Sequence, residues 1–194
     1  MKINGYTVEV FEGVYPPSED SFLLYDSIPR EHVERALDVG SGTGILTLKL
    51  TEIADYVVAI DVSIKACRNT LHNVKLNKRY EMSDVVCGDL LNPFRKGSFQ
   101  LILFNPPYLP VNEKVDDICL AWSGGRGGIE IVMMFLQSLK LIISRKSKVY
   151  LLLSSLMDLK TLFKFLGSYF NWSIVAKRSV GLFEELMVIC LRKT

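Results

Sequence analysis

From residue 36 onward the chain alternates short apolar runs with amphipathic stretches. Ala36–Val39, Tyr56–Ile60, Ser83–Gly88, Phe99–Phe104 and Lys148–Ser154 are largely apolar and often β-branched, the pattern of strands buried on both faces. Ile45–Ile53, Ser63–Asn77, Ile129–Ser144 and Asp158–Tyr169 repeat apolar residues at helical spacing, with Ser63 placed as a cap. Strands that alternate with helices predict a parallel sheet with helices on both faces. Trp172–Val180 and Glu185–Leu191 follow one another with no room for a crossover helix. They must therefore pair antiparallel. The expectation is an α/β fold, a mostly parallel seven-stranded sheet that ends in an antiparallel C-terminal hairpin.

Residues 1–35 read as a preamble. Tyr6–Phe11 alternates weakly, as a short strand does. Gly13–Pro17 is a loop, because its two prolines fit neither a sheet interior nor a helix middle. Ser18 is expected to cap a helix with Glu19 and Asp20 in its first turn, followed by Phe22, Leu23 and Leu24. Linkers are short, with no internal repeat, so one domain over 1–194 is expected.

Composition narrows the class. With 49% hydrophobic and 23% charged residues, the chain is neither disordered nor collagen-like. A net charge of +2 does not call for a nucleic-acid grip or a membrane anchor. The N-terminus lacks an apolar signal core, and no apolar run approaches the length of a membrane span. Cys67, Cys87, Cys119 and Cys190 form no CxxC pair, and His32 and His72 complete no zinc spacing. Reduced, mostly buried thiols in a cytoplasmic protein without a metal are expected. A mean hydropathy of +0.23 is high and points to an apolar surface that a partner covers.

Open parallel sheets bind ligands beyond the carboxyl ends of their strands. Those ends carry Gly40-x-Gly42-x-Gly44, Asp61, Asp89 with Leu90, and Asn105-Pro106-Pro107-Tyr108. The glycines let a backbone approach a ligand closely, but their GxGxG spacing is not the dinucleotide fingerprint. Asp61 is placed to accept hydrogen bonds from ribose hydroxyls. Asp38 lies inside the first strand, where a carboxylate needs donors. It meets either an ammonium group or a helix N-terminus. Asp89 either accepts from an adenine amino group, with Leu90 flanking the ring, or closes a turn. The most specific signal is Asn105–Tyr108. Two prolines stiffen the backbone after the strand, and the Asn105 oxygen and Pro106 carbonyl are each free to accept one hydrogen of a planar NH2 group. Tyr108 supplies a stacking face.

These residues resemble the class I S-adenosylmethionine-dependent methyltransferases with their Rossmann-like fold. Tyr15-Pro16-Pro17-Ser18-Glu19-Asp20-Ser21 is similar to the N-terminal signature of the glutamine methyltransferases that act on translation release factors. The resemblance implies an N5-glutamine methyltransferase acting on the Gly-Gly-Gln motif of a class I release factor. It implies that residues 1–35 cover cofactor and substrate and that 36–194 form the catalytic core. Ser21, Asp38, Gly40, Gly42, Gly44, Asp61, Asp89, Leu90 and Asn105 match cofactor-contacting positions. Asn105, Pro106, Pro107 and Tyr108 match the substrate clamp. About 35 residues precede the first strand, too few for the helical domain of the bacterial type, so the short eukaryotic and archaeal type is expected. Some of its members use a small zinc-binding activator of the Trm112 type. Ser123–Gly128 resembles a family segment that either shapes the substrate mouth or leads into the next helix.

The strand around Asp84–Cys87 is expected at a sheet edge, where an activator strand would cover it. Two rivals use the same features. An N6-adenine or guanine-N2 methyltransferase acting on DNA or RNA would clamp a flipped base with the same tetrapeptide. A non-catalytic subunit would keep the fold, but has no need of Asn105.

Overall fold

The computed structural model describes residues 1–108 and 128–194. Cys119 and Ser123–Gly127 of the glycine-rich segment lie outside the described residues. The elements are β1 (Lys2–Ile3), β2 (Tyr6–Thr7), α1 (Glu19–Ser27), β3 (Val33–Val39), α2 (Ile45–Leu50), β4 (Ala54–Asp61), α3 (Ile64–Leu76), β5 (Ser83–Cys87), β6 (Leu101–Phe104), α4 (Glu130–Ile142), β7 (Lys148–Ser154), α5 (Leu159–Tyr169), β8 (Phe170–Val180) and β9 (Glu184–Lys193). The main sheet has seven strands in the order β5-β4-β3-β6-β7-β9-β8. β3 to β7 pair parallel, and β9 pairs antiparallel with both β7 and β8. β5 lies at the edge, as its sequence position implied.

The chain runs outward from β3 through β4 to β5, then returns to the other side of β3 as β6. This reversal opens a crevice between the carboxyl ends of β3 and β6. The register aligns those ends: Val39 faces Ile60 on one side and Phe104 on the other, and Asp61 faces Cys87. Side chains alternate across the sheet. Ala36, Leu101, Leu103, Leu152 and Val188 pack with Leu24 of α1 and Leu48 of α2. Leu37, Val39, Phe104, Leu151 and Ile189 pack with Phe135 of α4 and Leu162 of α5. The helices therefore cover both faces.

Three details of the preamble depart from the sequence expectation. The strand expected over Tyr6–Phe11 shrinks to Tyr6–Thr7, which pairs with Lys2–Ile3 through an Asn4-Gly5 turn with positive φ at both residues. Residues beyond Thr7 stay near α3 because asparagine side chains replace a neighbouring strand. Asn77, Asn73 and Asn69 accept from the amides of Thr7, Glu9 and Phe11, and return hydrogen bonds to the carbonyls of Thr7 and Glu9. Three asparagines at four-residue spacing line one face of a helix, and alternate residues of an extended segment meet them in turn. Ser18 occupies the N-cap position of α1 but makes no side-chain capping bond, whereas Ser63 and Asp158 do cap their helices.

Of the thiols, Cys67 and Cys190 are buried while Cys87 is exposed. No helix among the described residues is long and apolar enough to cross a membrane. Exposed apolar side chains do occur, notably Leu182 and Phe183 between β8 and β9.

Candidate functional site

The glycine bend follows β3. Gly40 and Ser41 both donate to the carbonyl of Ile60, and Gly44 donates back to Ser41, so the bend closes on the end of β4. Gly44 adopts φ +80, and a Cβ there would stand 2.9 Å from Thr70 Cγ2. A side chain at 44 would push the bend off α3. Thr70 in turn donates to the Gly42 carbonyl and the Ser41 hydroxyl. Above Gly42 a Cβ would meet nothing within 4 Å, so the bend faces open space there.

Two carboxylates flank the bend. Asp61 accepts from the amide of Gly42 at 3.0 Å and that of Ser63 at 2.8 Å. Burial nonetheless pushes its carboxyl upward. Asp38 is fully buried in β3 and accepts from the Thr47 hydroxyl of α2 at 2.6 Å. Its other oxygen, Oδ1, has no partner. Desolvation raises its pKa to about 7, partly offset by Thr47. Asp38 thus meets α2 through one oxygen and holds the second unsatisfied. Asp89 is exposed and accepts from the Asn92 side chain at 3.1 Å, which is the turn reading. Leu90 follows at φ +47 and packs on the core.

The tetrapeptide sits one strand away. Gly40 and Asn105 approach closely: a Cβ on Gly40 would lie 3.7 Å from the Asn105 carbonyl. Glycine bend and proline turn therefore share one side of the sheet. Asn105 Nδ2 donates to Asp20 at 3.2 Å and reaches Ser21 Oγ at 3.5 Å. Its Oδ1 is buried and unpartnered. Asp38 Oδ1 and Asn105 Oδ1 are the two side-chain atoms in this state among the described residues. Buried acceptors are normally satisfied, so such atoms mark a place where a ligand supplies donors.

Several residues here escaped the sequence reading as site residues. Asp20, only 4% exposed, reaches Asn105 from α1. Tyr15 donates to Asp20 at 3.4 Å, and burial beside that carboxylate pushes its hydroxyl to about 12. Tyr108 lies near Glu184 of β9, which accepts from Ser154 at 2.7 Å. Burial, with Asp20 and Glu184 nearby, raises the Tyr108 hydroxyl well above its ordinary value. Gly128, at φ +69, lies against Tyr108: a Cβ there would collide with the Tyr108 carbonyl. The end of the glycine-rich segment is thus packed on the clamp as well as leading into α4. A groove of about 230 Å³ lined by Pro29, Glu31, His32 and Lys148 lies at the amino ends of the strands, away from all these residues.

Comparison with known proteins agrees with this geometry. Residues 14–121 match the family described as the methyltransferase small domain. A putative protein N5-glutamine methyltransferase of Methanocaldococcus jannaschii is 34% identical, over 97% of this chain and 96% of its own. The eRF1 methyltransferase catalytic subunit mtq2 of Schizosaccharomyces pombe is 27% identical, over 73% of this chain and 72% of its own. Among solved structures, the T. thermophilus 16S rRNA N2 G1207 methyltransferase, in complex with AdoMet and guanosine, superposes with a TM-score of 0.75 at 18% identity. That match covers 100% of this chain and 49% of the other, and it shows the shared fold. The chain belongs to the methyltransferase small domain family and is a class I S-adenosylmethionine-dependent methyltransferase of the release-factor glutamine methyltransferase family.

Proposed function

We propose that this enzyme methylates the side-chain nitrogen of the glutamine in the Gly-Gly-Gln motif of a class I release factor, in the cytoplasm, with S-adenosyl-L-methionine as donor. The observation that carries the reading is the unpartnered, buried Asn105 Oδ1, one strand from the unpartnered Asp38 Oδ1.

The residues present fit the donor. Asp38 Oδ1 lacks the partner that an ammonium group provides, directly or through water. Asp61, at the end of β4, is available to ribose hydroxyls, and Gly42, whose amide it accepts from, leaves the space beside the bend open. Asp89, beyond its turn bond to Asn92, and Leu90 are the residues offered to an adenine ring, and Ser21 approaches Asn105 at the junction of the two halves. When bound, the donor supplies an already activated methyl on a sulfonium, so no protein nucleophile is required.

The clamp's task is alignment and charge stabilisation. Holding the amide nitrogen in line is worth about 7 to 11 kcal/mol of the barrier. An amide nitrogen is a weak nucleophile because its lone pair is delocalised into the carbonyl. Acceptors at Asn105 Oδ1 and the Pro106 carbonyl stabilise the positive charge that grows on its hydrogens. Tyr108, packed against Gly128, offers the stacking face. No His, Lys or Cys stands in the motif, so the proton departs late, to water.

A Trm112-type activator covering the β5 edge completes the proposal. It is supported by the open edge of the sheet and by the naming of the S. pombe relative as a catalytic subunit. The test incubates the enzyme, with and without such a partner, with release factor and labelled donor. Mass spectrometry should place one added methylene unit on the motif glutamine. Label found only on nucleic acid, or no transfer with either arrangement, would overturn the reading.

A further inference from the structure

An asparagine side chain has two nearly isosteric ends, a donor and an acceptor, and only one serves an NH2 substrate. What decides which end faces the cleft lies outside the tetrapeptide. Asp20 Oδ2 stands 3.2 Å from Asn105 Nδ2. Reversing the amide would set Oδ1 against this carboxylate, acceptor against acceptor. Ser21 reinforces the choice. Its hydroxyl hydrogen is committed to Asp20 Oδ1 at 3.2 Å, so it presents a lone pair to Asn105 at 3.5 Å. Asp20 itself is held in place: Oδ1 also accepts from the Ser21 amide at 2.6 Å and from the Tyr15 hydroxyl at 3.4 Å.

We propose that Asp20 is a positioning residue that sets the polarity of the Asn105 amide, holding Nδ2 so that Oδ1 alone faces the substrate nitrogen. The inference rests on the reading that Asn105 Oδ1 receives an N–H of the substrate amide. It gives the N-terminal helix a role in selecting a neutral NH2 group: with the amide reversed, the clamp would present a donor and repel that group. The burial of Asp20 fits this role, since in a water-poor site one charge-assisted hydrogen bond fixes an otherwise two-fold rotor.

Two measurements test it. The first needs no substrate. In the side-chain amide NMR spectrum of the full chain, the Asn105 NH2 pair is identified by its loss in Asn105→Asp. One of its protons should be shifted downfield and slowed in solvent exchange, and Asp20→Asn should return the pair to free-amide positions. A wild-type pair already at free-amide positions, or one unmoved by Asp20→Asn, overturns the proposal. If Asp20→Asn does not fold, the wild-type shift and exchange rate decide alone. The second is kinetic, on release factor. Asp20→Asn should lower kcat by about tenfold to a hundredfold, the worth of one orienting hydrogen bond, with donor affinity within about twofold. The exchanged pair Asp20→Asn/Asn105→Asp restores a donor at 20 facing an acceptor at 105 and leaves the second oxygen free. It should recover at least about tenfold over either single variant. Unchanged kcat in Asp20→Asn, or an exchanged pair no better than its parents, overturns the proposal. If wild type leaves the release factor unmodified, the glutamine reading fails, and the amide spectrum still decides the role of Asp20.

Discussion

The two halves of the crevice are built differently. The glycine bend is satisfied by neighbours in sequence and by adjoining elements: residues 38 to 70 supply the bend, Asp61, Thr47 and Thr70. The proline turn is held from afar. Asp20 reaches Asn105 across 85 positions, and Glu184 of the C-terminal hairpin lies near Tyr108. A region assembled locally tolerates change elsewhere in the chain. A region assembled from distant elements depends on the whole fold being docked. The difference separates donor binding from methyl transfer: damage to the bend should appear as lost donor affinity, and damage to the turn as lost turnover.

The largest effect expected is at the turn. Asn105→Ala removes the free acceptor and should lower kcat about a hundredfold to a thousandfold, as removal of an oxyanion-hole donor does in other enzymes. Donor binding by calorimetry should persist. Near-full turnover would merge the two halves again.

The bend should respond to pH where the turn does not. Burial lifts the Asp38 carboxyl to about 7 in the folded chain, against 3.8 for an ordinary aspartate side chain. Folding therefore takes up a proton between these values, and its contribution to stability is fully present below about 4 and lost as pH rises through 7. A cationic donor prefers the ionised carboxylate, so its affinity should rise with pH, by up to about tenfold per unit, until about 7. Calorimetry at several pH values, in buffers of different protonation enthalpy, should detect a proton released on binding near pH 7. Asp38→Asn should flatten the stability profile and raise the melting temperature above pH 7, while donor affinity falls. A pH-independent affinity would break this side of the comparison.

Smaller effects probe what ties the halves together. Asn73 bonds Glu9 twice and also donates to the Thr43 carbonyl of the bend, at 2.8 Å and fully buried. Asn73→Ala strands these groups and should cost about 1 to 3 kcal/mol, read by denaturant midpoint. Gly44→Ala places a Cβ against Thr70 at φ +80 and should cost about 1 to 3 kcal/mol. Its loss should fall on donor affinity more than on kcat.

Much of the sheet was legible because its signals are contiguous. Each of the seven strands was found, with boundaries moved by a few residues: β3 starts at Val33 rather than Ala36, because polar Glu34 and Arg35 interrupt the apolar run on exposed positions. The strand-end motifs were legible for the same reason. The asparagine ladder was not, since its partner is a segment some sixty residues earlier. A cue existed. Asn69, Asn73 and Asn77 repeat a weak helix former at exact one-face spacing, which implies a task for those side chains. Asn4-Gly5 is likewise a residue pair that favours a tight hairpin turn. Asp20 stands in the Tyr15–Ser21 signature, but its place in the first turn of a helix gives no sign of the approach to Asn105, 85 positions away.

Periodicity and strand-end residues, read from the order of amino acids alone, determined the sheet class and the placement of the glycine bend and the proline turn at the strand ends. Only the tertiary structure decided that Asp38 keeps one oxygen bare, that Asp20 sits against Asn105, and that Glu184 lies near Tyr108. The reason is physical. Backbone propensity and apolar spacing act between near neighbours, whereas a hydrogen bond that sets polarity needs an approach of about 3 Å between atoms that only packing brings together.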